Sequence, residues 1–268
     1  MSTLTNEEDC DLNATIADTN TASLQVFNDP EQHYIDEGSA FLRKHGLDVS
    51  TFENLRQQGG AEYSFNGLSF IGKKPDGSIG MIETQLFKPK QMFGKPGKFL
   101  NCWTEKGSDK TYPIIIKGTC TKEVEIVEDS LEGMARYEIN MRELSAQDQP
   151  TIIISSGKDN TRFLNNPEII ALLKDAIYIM CISHNKDPNF PLTYDTKQYF
   201  DALEKRQHGI DKAYEKIVEL IQLINPLALV QHYRTHENFE DLVDMNADGK
   251  EYNASIQHDK QTKRKFKF

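Results

Sequence analysis

The sequence has no CxxC pair, no long apolar run and no apolar segment near its start. Its four cysteines are far apart, which excludes a zinc ribbon built on cysteine pairs and favours a reduced, cytoplasmic protein. Because no apolar run approaches the length of a membrane span, no membrane partner is predicted. Residues 1–30 are acidic and polar rather than signal-like, and they are predicted to form a disordered leader.

Positive charge is also scarce, since 41 acidic residues outnumber 31 lysines and arginines and give a net charge of −10. The whole molecule therefore repels nucleic acid, and any such binding must use local basic patches. One candidate patch holds Lys88, Lys90, Lys95 and Lys98, and the other is a basic tail at 251–268. A solvated tail remains the alternative for the second patch.

The region 31–118 is predicted to be a small α+β subdomain. An amphipathic helix opens near Glu31, and a second helix is expected where Ser50 and Glu53 have the spacing of a capping box. Asn66-Gly67 then separates two β-rich segments, which is typical of a hairpin turn. The remainder of this region continues as β-structure.

The region 119–250 alternates between apolar strands and amphipathic helices, which predicts a parallel α/β sheet flanked by helices. Gly209, inside the last predicted helix, is expected to mark a kink or a break. The predicted strands are 123–128, 151–155, 176–183 and 227–233, and the predicted helices are 131–144, 166–175 and a segment within 194–224.

A pair of acids stands where the first of these strands meets its helix. The strand ends in Glu128, and Glu132 follows one helical turn later. In open α/β sheets ligands collect at the carboxyl edge of the strands. Two carboxylates held there, joined by a third, can bind Mg²⁺ for phosphoryl-transfer chemistry.

The stretch EVEIVEDSLEGMA, residues 123–135, resembles the first motif of the Toprim domain of primases, topoisomerases and related nucleases. The loop SSGK at 155–158 is similar to the Ser-Gly loop of that family, and ENFEDLV is similar to its last element, with Asp241 at the final acid. Upstream, GKPGKFLN resembles the basic loop of bacterial and phage primases, with Lys98 at the matching position. The resemblance implies a Toprim-type sheet preceded by a primase-like subdomain.

The third motif of the family is normally Asp-x-Asp, and here it reads SHNKDPNF. His184 stands at the first acid, and Lys186 takes the second position unless one inserted residue brings Asp187 there. The resemblance therefore implies a partly degenerate site for Mg²⁺ or Mn²⁺. Its ligands would be Glu128, Asp187, Asp241 and His184, with Glu128 and Glu132 catalytic. Lys95, Lys98, Gly157 and Lys158 would contact nucleic-acid phosphate.

The resemblance implies a primase-like, divalent-metal-dependent protein of a plasmid or phage replication or mobilisation system. Single-stranded DNA is the expected partner, together with a relaxase or helicase. Two alternatives stay open. One is a non-catalytic DNA-binding accessory module that retains the fold, which the altered third motif favours. The other is a Toprim nuclease, which would not explain the primase-like segment before the sheet.

Overall fold

The computed structural model describes residues 32–91, 99–157, 160–183, 196–235 and 241–247. For residue 99 and residues 196–206 it describes the backbone alone. Within these ranges the chain forms two β-sheets and six α-helices. None of these helices combines the length and the apolar character that crossing a membrane requires.

The first sheet is antiparallel and has four strands in the order β1-β2-β3-β4. Two helices precede it in the chain, and their side chains pack on the sheet. The elements are α1 (Gln32–Lys44), α2 (Val49–Gln57), β1 (Ala61–Ser64), β2 (Gly67–Lys73), β3 (Ile79–Gln91) and β4 (Phe99–Thr104). This arrangement agrees with the predicted α+β character of the region.

The predicted hairpin is confirmed, since β1 and β2 pair antiparallel, but its turn lies one residue earlier than predicted. The loop between β1 and β2 is Phe65–Asn66, because Gly67 already pairs with Ser64. A Cβ at Gly67 would lie 1.9 Å from the carbonyl oxygen of Gln85, so the glycine permits a close approach between strands.

The capping box predicted at Ser50 and Glu53 is wrong. Helix α2 begins at Val49, with the extended residue Asp48 at its N-cap. The amide of Asp48 donates to Glu138 Oε1 at 2.8 Å, and Glu53 instead pairs with Arg56. The start of α2 is therefore held by a contact with the distant residue Glu138, which the local sequence does not reveal.

The second sheet has five strands in the order β5-β7-β6-β8-β9, parallel except for the antiparallel edge pair β5–β7. The strands are β5 (Ile114–Ile116), β6 (Cys120–Val127), β7 (Pro150–Ile154), β8 (Tyr178–Ser183) and β9 (Leu229–Arg234). The helices are α3 (Ser130–Glu143), α4 (Pro167–Asp175), α5 (Thr196–Ile224) and α6 (Leu242–Ala247). The predicted fold class, a mostly parallel α/β sheet flanked by helices, is confirmed.

The four predicted strands and three predicted helices of this region are all present, and α5 continues through Gly209 as one helix. Strand β5 and helix α6 were not predicted. Because β5 precedes residue 118 and pairs with β7, the second sheet begins before the predicted domain boundary. The division into a leader, two domains and a tail stays a prediction.

Both faces of the second sheet are covered, as its continuous apolar strands predict. Along β7, Ile152 and Ile154 join the core that includes the first sheet, α1, α2 and α3, while Ile153 joins the core beneath α4 and α5. This alternation leaves the carboxyl edge of the parallel strands as the place where polar groups gather.

Candidate functional site at the carboxyl edge of the parallel sheet

The parallel strands β6, β7 and β8 end at one edge of the second sheet. Val127 pairs with Ile154, and Ile126 pairs with Cys181, so the residues that follow these strands are neighbours. The structure thus brings Glu128 beside the Ser155–Gly157 loop, as the sequence predicts. Lys158, His184 and Asp187 lie outside the described residues, although Ser183, which leads into the last two, ends β8 at this edge.

The loop after β7 is bonded directly to the main chain at Glu128. The amide of Ser155 donates to the Val127 carbonyl at 2.9 Å, and the amide of Gly157 donates to the Glu128 carbonyl at 3.2 Å. Ser156 and Gly157 both have positive φ, 57° and 123°. Lys110, which is buried, donates to the Ser156 carbonyl at 3.2 Å. These contacts fix the loop against Glu128.

The start of helix α3 fixes the other two acids of this stretch. Asp129 is the N-cap residue, and its Oδ1 accepts a hydrogen bond from the Glu132 amide at 3.0 Å. Glu132 is only 3% exposed, and its Oε2 accepts from the Glu128 amide at 3.2 Å. The helix N-terminus favours negative charge at these positions.

Two further acids reach this region from distant parts of the chain. Glu83 on β3 is buried, and its Oε1 accepts from the Ser130 amide at 2.9 Å and from the Ser130 hydroxyl, which joins the first sheet to α3. Asp241 precedes α6, and its Oδ1 accepts from the Val243 amide at 2.8 Å. We call Glu83, Glu128, Asp129, Glu132 and Asp241 the acidic cluster.

Helix α6 is itself anchored to the body of the protein. Asn246 Nδ2 donates to Glu138 Oε2 at 2.6 Å and to the Gly46 carbonyl at 3.1 Å, and Arg142 donates to Asn246 Oδ1 at 2.6 Å. These bonds connect α6 with α3 and with the turn after α1. They therefore support the position of Asp241 from the opposite end of the short helix.

The acids of the cluster repel one another electrostatically. Burial, followed by the charges of Glu83, Asp241 and Glu128, raises the pKa of Asp129 to about 7. Burial also raises the pKa of Glu132 well above its ordinary value, and the charges of Asp129, Glu128 and Asp241 raise it further. Mutual repulsion of buried carboxylates is frequent at functional sites.

A tyrosine of helix α5 lies within electrostatic reach of the cluster. The Tyr214 hydroxyl is buried and has no hydrogen-bond partner among the described residues, and burial followed by the charges of Glu128 and Glu132 raises its pKa. Its ring stacks on His232 with centroids 5.1 Å apart, and His232 Nε2 lies 2.8 Å from Ser183 Oγ. These side chains connect α5 and β9 to the end of β8.

The acidic cluster has the right donor chemistry for a hard divalent cation, because Mg²⁺ and Mn²⁺ prefer oxygen ligands. Among the described residues, however, no three histidine, cysteine or acidic side chains are arranged to hold a metal ion. Glu132 and Asp241 each have one oxygen bonded to a backbone amide. The predicted ligand set is thus only partly assembled by the described residues, and the metal roles of Glu128 and Asp241 stay predictions.

Sequence reasoning missed Glu83, Tyr214 and the contribution of Asp129. Glu83 does carry a local signal, because it is an acid that interrupts the apolar part of β3. Tyr214 has none, since it occupies an ordinary core position on α5. Lys95 and Lys98 lie outside the described residues, so their predicted phosphate contacts stay predictions.

No model of a known protein family matches the chain, and no curated protein matches its sequence. Solved structures do show likeness. The E. coli primase catalytic core is similar with a TM-score of 0.46 and 12% identity, over 83% of this chain and 72% of that chain. The zinc-binding and RNA polymerase domains of the Aquifex aeolicus primase give a TM-score of 0.48 and 10% identity, over 85% and 58%.

A primase catalytic domain bound to single-stranded DNA is also similar, with a TM-score of 0.41 and 12% identity, over 86% of this chain and 68% of that chain. Each of these three TM-scores is below 0.5. The likenesses concern general architecture and do not decide what this chain binds or catalyses.

Proposed function

We propose that this chain is a primase-like, divalent-metal-dependent nucleic-acid protein whose site is the acidic cluster. The observation that supports the proposal best is the gathering of acids at the carboxyl edge of a parallel sheet, with Glu128 fixed against the Ser155–Gly157 loop. Ligands collect at this edge in α/β folds. A bound cation would reduce the electrostatic repulsion among these carboxylates.

In this proposal Glu128 is a metal ligand or general base, and Glu132 assists it from the first turn of α3. Asp241, together with Asp187 and His184 from the segment after β8, would complete the ligand set for Mg²⁺ or Mn²⁺. A histidine ligand favours Mn²⁺ relative to Mg²⁺. Gly157, Lys158, Lys95 and Lys98 would contact the phosphates of single-stranded DNA.

The biological setting is a further part of the proposal and is supported by the sequence resemblance alone. It is a plasmid or phage replication or mobilisation system in the cytoplasm, in which a relaxase or helicase is a partner. A Toprim nuclease would use the same edge of the sheet. The first sheet, with Lys88 and Lys90 at the end of β3, favours the primase-like function over the nuclease.

A second function is favoured by a specific observation. Asp129, Glu132 and Asp241 each accept a hydrogen bond from a backbone amide, and no three described candidate ligands are arranged for a metal. A chain whose acids serve only as helix caps would be a non-catalytic DNA-binding accessory module. The two functions differ in whether the cluster responds to divalent cations.

A metal titration with a matched acidic control separates the two functions. Thermal unfolding is measured with increasing Mg²⁺ or Mn²⁺ for the native chain, Glu128→Gln and Glu219→Gln, the last of which changes an exposed acid on α5. We expect both cations to raise Tm in the native chain and in Glu219→Gln, with Mn²⁺ more effective, but not in Glu128→Gln. Primer synthesis on single-stranded DNA should follow the same order.

An equal metal response in Glu128→Gln would show that the cluster is not the metal site. No response in any variant, combined with retained DNA binding, would establish the accessory function instead.

A further inference from the structure

A second candidate site lies on the first sheet, apart from the acidic cluster. It is a cavity of about 450 Å³ between the first turn of α1, the loop between β1 and β2, the end of β3 and strand β4. We call it the aromatic groove, and the lining residues that matter here are Tyr34, Phe65, Phe87, Lys88, Lys90 and Trp103.

One aromatic side chain of the groove is largely exposed, and the other three are half-buried. Phe65 is 71% exposed, and its ring meets Tyr34 edge to face with centroids 5.9 Å apart. Phe87 and Trp103 are half-buried, with part of each side chain still in contact with solvent. The four rings therefore offer Phe65 as an open face, with the accessible parts of Tyr34, Phe87 and Trp103 around the same cavity.

Two lysines accompany these rings, although the chain as a whole is acidic. Lys90 Nζ lies 5.2 Å from the centroid of the Trp103 ring. Lys88 Nζ lies 3.9 Å from Glu37 Oε1 in a pair whose side chains are 88% and 44% exposed. An ion pair of this length and exposure is weak, so Lys88 can exchange it for a phosphate at little cost.

Aromatic faces with adjacent cations match one class of ligand, a single strand of nucleic acid. Bases stack on aromatic rings, and the phosphates that join them contact lysines. A duplex would not suit the groove, because its bases are already stacked on one another. An apolar peptide would use the rings but gain nothing from the lysines.

We propose that the aromatic groove stacks the bases of single-stranded DNA, with Lys88 and Lys90 at the phosphates. This inference deepens the proposed function and rests on it for the choice of DNA as ligand. Strand β3 connects the two sites, since Glu83 belongs to the acidic cluster and Lys90 to the groove. Seven residues of strand span at most about 23 Å, a distance that a short single strand can bridge.

The test uses Trp103 as an internal reporter, because it is the single tryptophan of the chain. Fluorescence is recorded while an oligothymidine DNA is added, and fluorescence anisotropy of a labelled oligonucleotide measures affinity separately. Stacking should quench Trp103 as the complex forms. Phe65→Ala should weaken binding about tenfold, within the range measured for the loss of one stacked base. Leu227→Ala, at a residue that is 95% exposed outside the groove, is the matched control and should bind normally.

Two further arms separate stacking from charge. An abasic oligonucleotide has the same phosphates without bases, so it should bind more weakly and leave Trp103 unquenched. The double variant Lys88→Gln and Lys90→Gln should flatten the dependence of affinity on salt, while thymidine oligomers still quench Trp103.

Three results would each overturn the inference. They are normal binding without quenching, equal binding by the abasic strand, and an unchanged affinity in Phe65→Ala. So would tighter binding of duplex DNA or of an uncharged aromatic peptide.

The metal titration described above distinguishes failure of this inference from failure of the proposed function. Phe65→Ala should retain the metal-dependent rise in Tm, because Phe65 is outside the acidic cluster. Loss of Trp103 quenching with the metal response intact would refute the groove alone. Quenching without any metal response would refute the metal-dependent function and leave the groove standing.

Discussion

Two acids near the end of strand β6, three positions apart, have opposite surroundings. Glu125 is buried and accepts hydrogen bonds from Arg136 Nε at 2.9 Å, Arg136 Nη2 at 2.5 Å and Asn140 Nδ2 at 2.7 Å. Glu128, at the sheet edge, lies beside Asp129 and Glu132, whose pKa values it raises. Helix α3 supplies Arg136 and Asn140 to the first acid and Glu132 to the second.

The difference separates an acid that serves the fold from acids that suit a ligand. Arg136 neutralises Glu125, so the pair is satisfied within the protein. In the acidic cluster, burial and neighbouring negative charges instead raise the pKa values of Asp129 and Glu132, so the charged forms of these two acids are disfavoured. Acids whose pKa values are raised in this way are better candidates for function than a balanced ion pair.

The largest expected effect comes from unbalancing Glu125. Arg136→Met leaves a buried carboxylate without its guanidinium and should lower the free energy of unfolding by about 3–5 kcal/mol. Urea denaturation measures this change. Arg162→Met is the matched control, because it breaks the exposed pair with Asp109 and should cost less than about 1 kcal/mol.

The double variant Glu125→Leu and Arg136→Met should recover most of the loss, since neither charge then remains buried. A single variant Arg136→Met that unfolds like the native chain would show that Glu125 and Glu128 are not different in kind.

The sequence could predict what depends on neighbours in the chain. The apolar runs of β6, β7 and β8 and the turn between Glu128 and Glu132 are local patterns, and each was found where expected. Strand β5 is only three residues long and pairs with β7, so no local period distinguishes it. Helix α6, of six residues, depends on the bonds of Asn246 to distant groups.

The candidate site divides in the same way. Glu128 and Glu132 follow from a strand-turn-helix pattern, and their neighbour Asp129 completes it as a cap. Glu83 reaches the site only because the first sheet packs against the start of α3. The repulsion that raises the pKa of Asp129 includes Glu83, which no sequence pattern indicated, and Asp241, which only the family resemblance had placed with Glu128.

The second prediction concerns pH and tests the acidic cluster, the second member of the comparison. Acids whose pKa is higher in the folded than in the unfolded state bind more protons when folded, so stability falls as pH rises between the two values. For Asp129 the window runs from about 4, its unfolded pKa, to about 7. Each proton involved changes stability by up to about 1.4 kcal/mol per pH unit.

Metal-free protein should therefore become more stable to urea as pH is lowered from 7 to 5, and Glu132→Gln should reduce this slope. Glu219→Gln serves again as the exposed control and should keep the slope. Stability that rises with pH throughout this window would show that the cluster does not repel itself.

The smallest expected effect concerns the hydroxyl of Tyr214. Burying a hydroxyl without a hydrogen bond costs about 1–3 kcal/mol, and phenylalanine fills the same space without it. Because the Tyr214 hydroxyl has no partner in the part of the chain that the structure describes, Tyr214→Phe should raise the free energy of unfolding by about 1 kcal/mol. Tyr137→Phe changes a half-buried tyrosine on α3 and is the matched control, for which the free energy of unfolding should change little.

Urea denaturation at pH 7, with and without Mn²⁺, measures the free energy of unfolding of both variants. A loss of stability in Tyr214→Phe would mean that the hydroxyl donates to a carboxylate of the cluster. In that case the acids are partly satisfied by the protein, and the contrast between Glu125 and Glu128 is weaker than the geometry indicates.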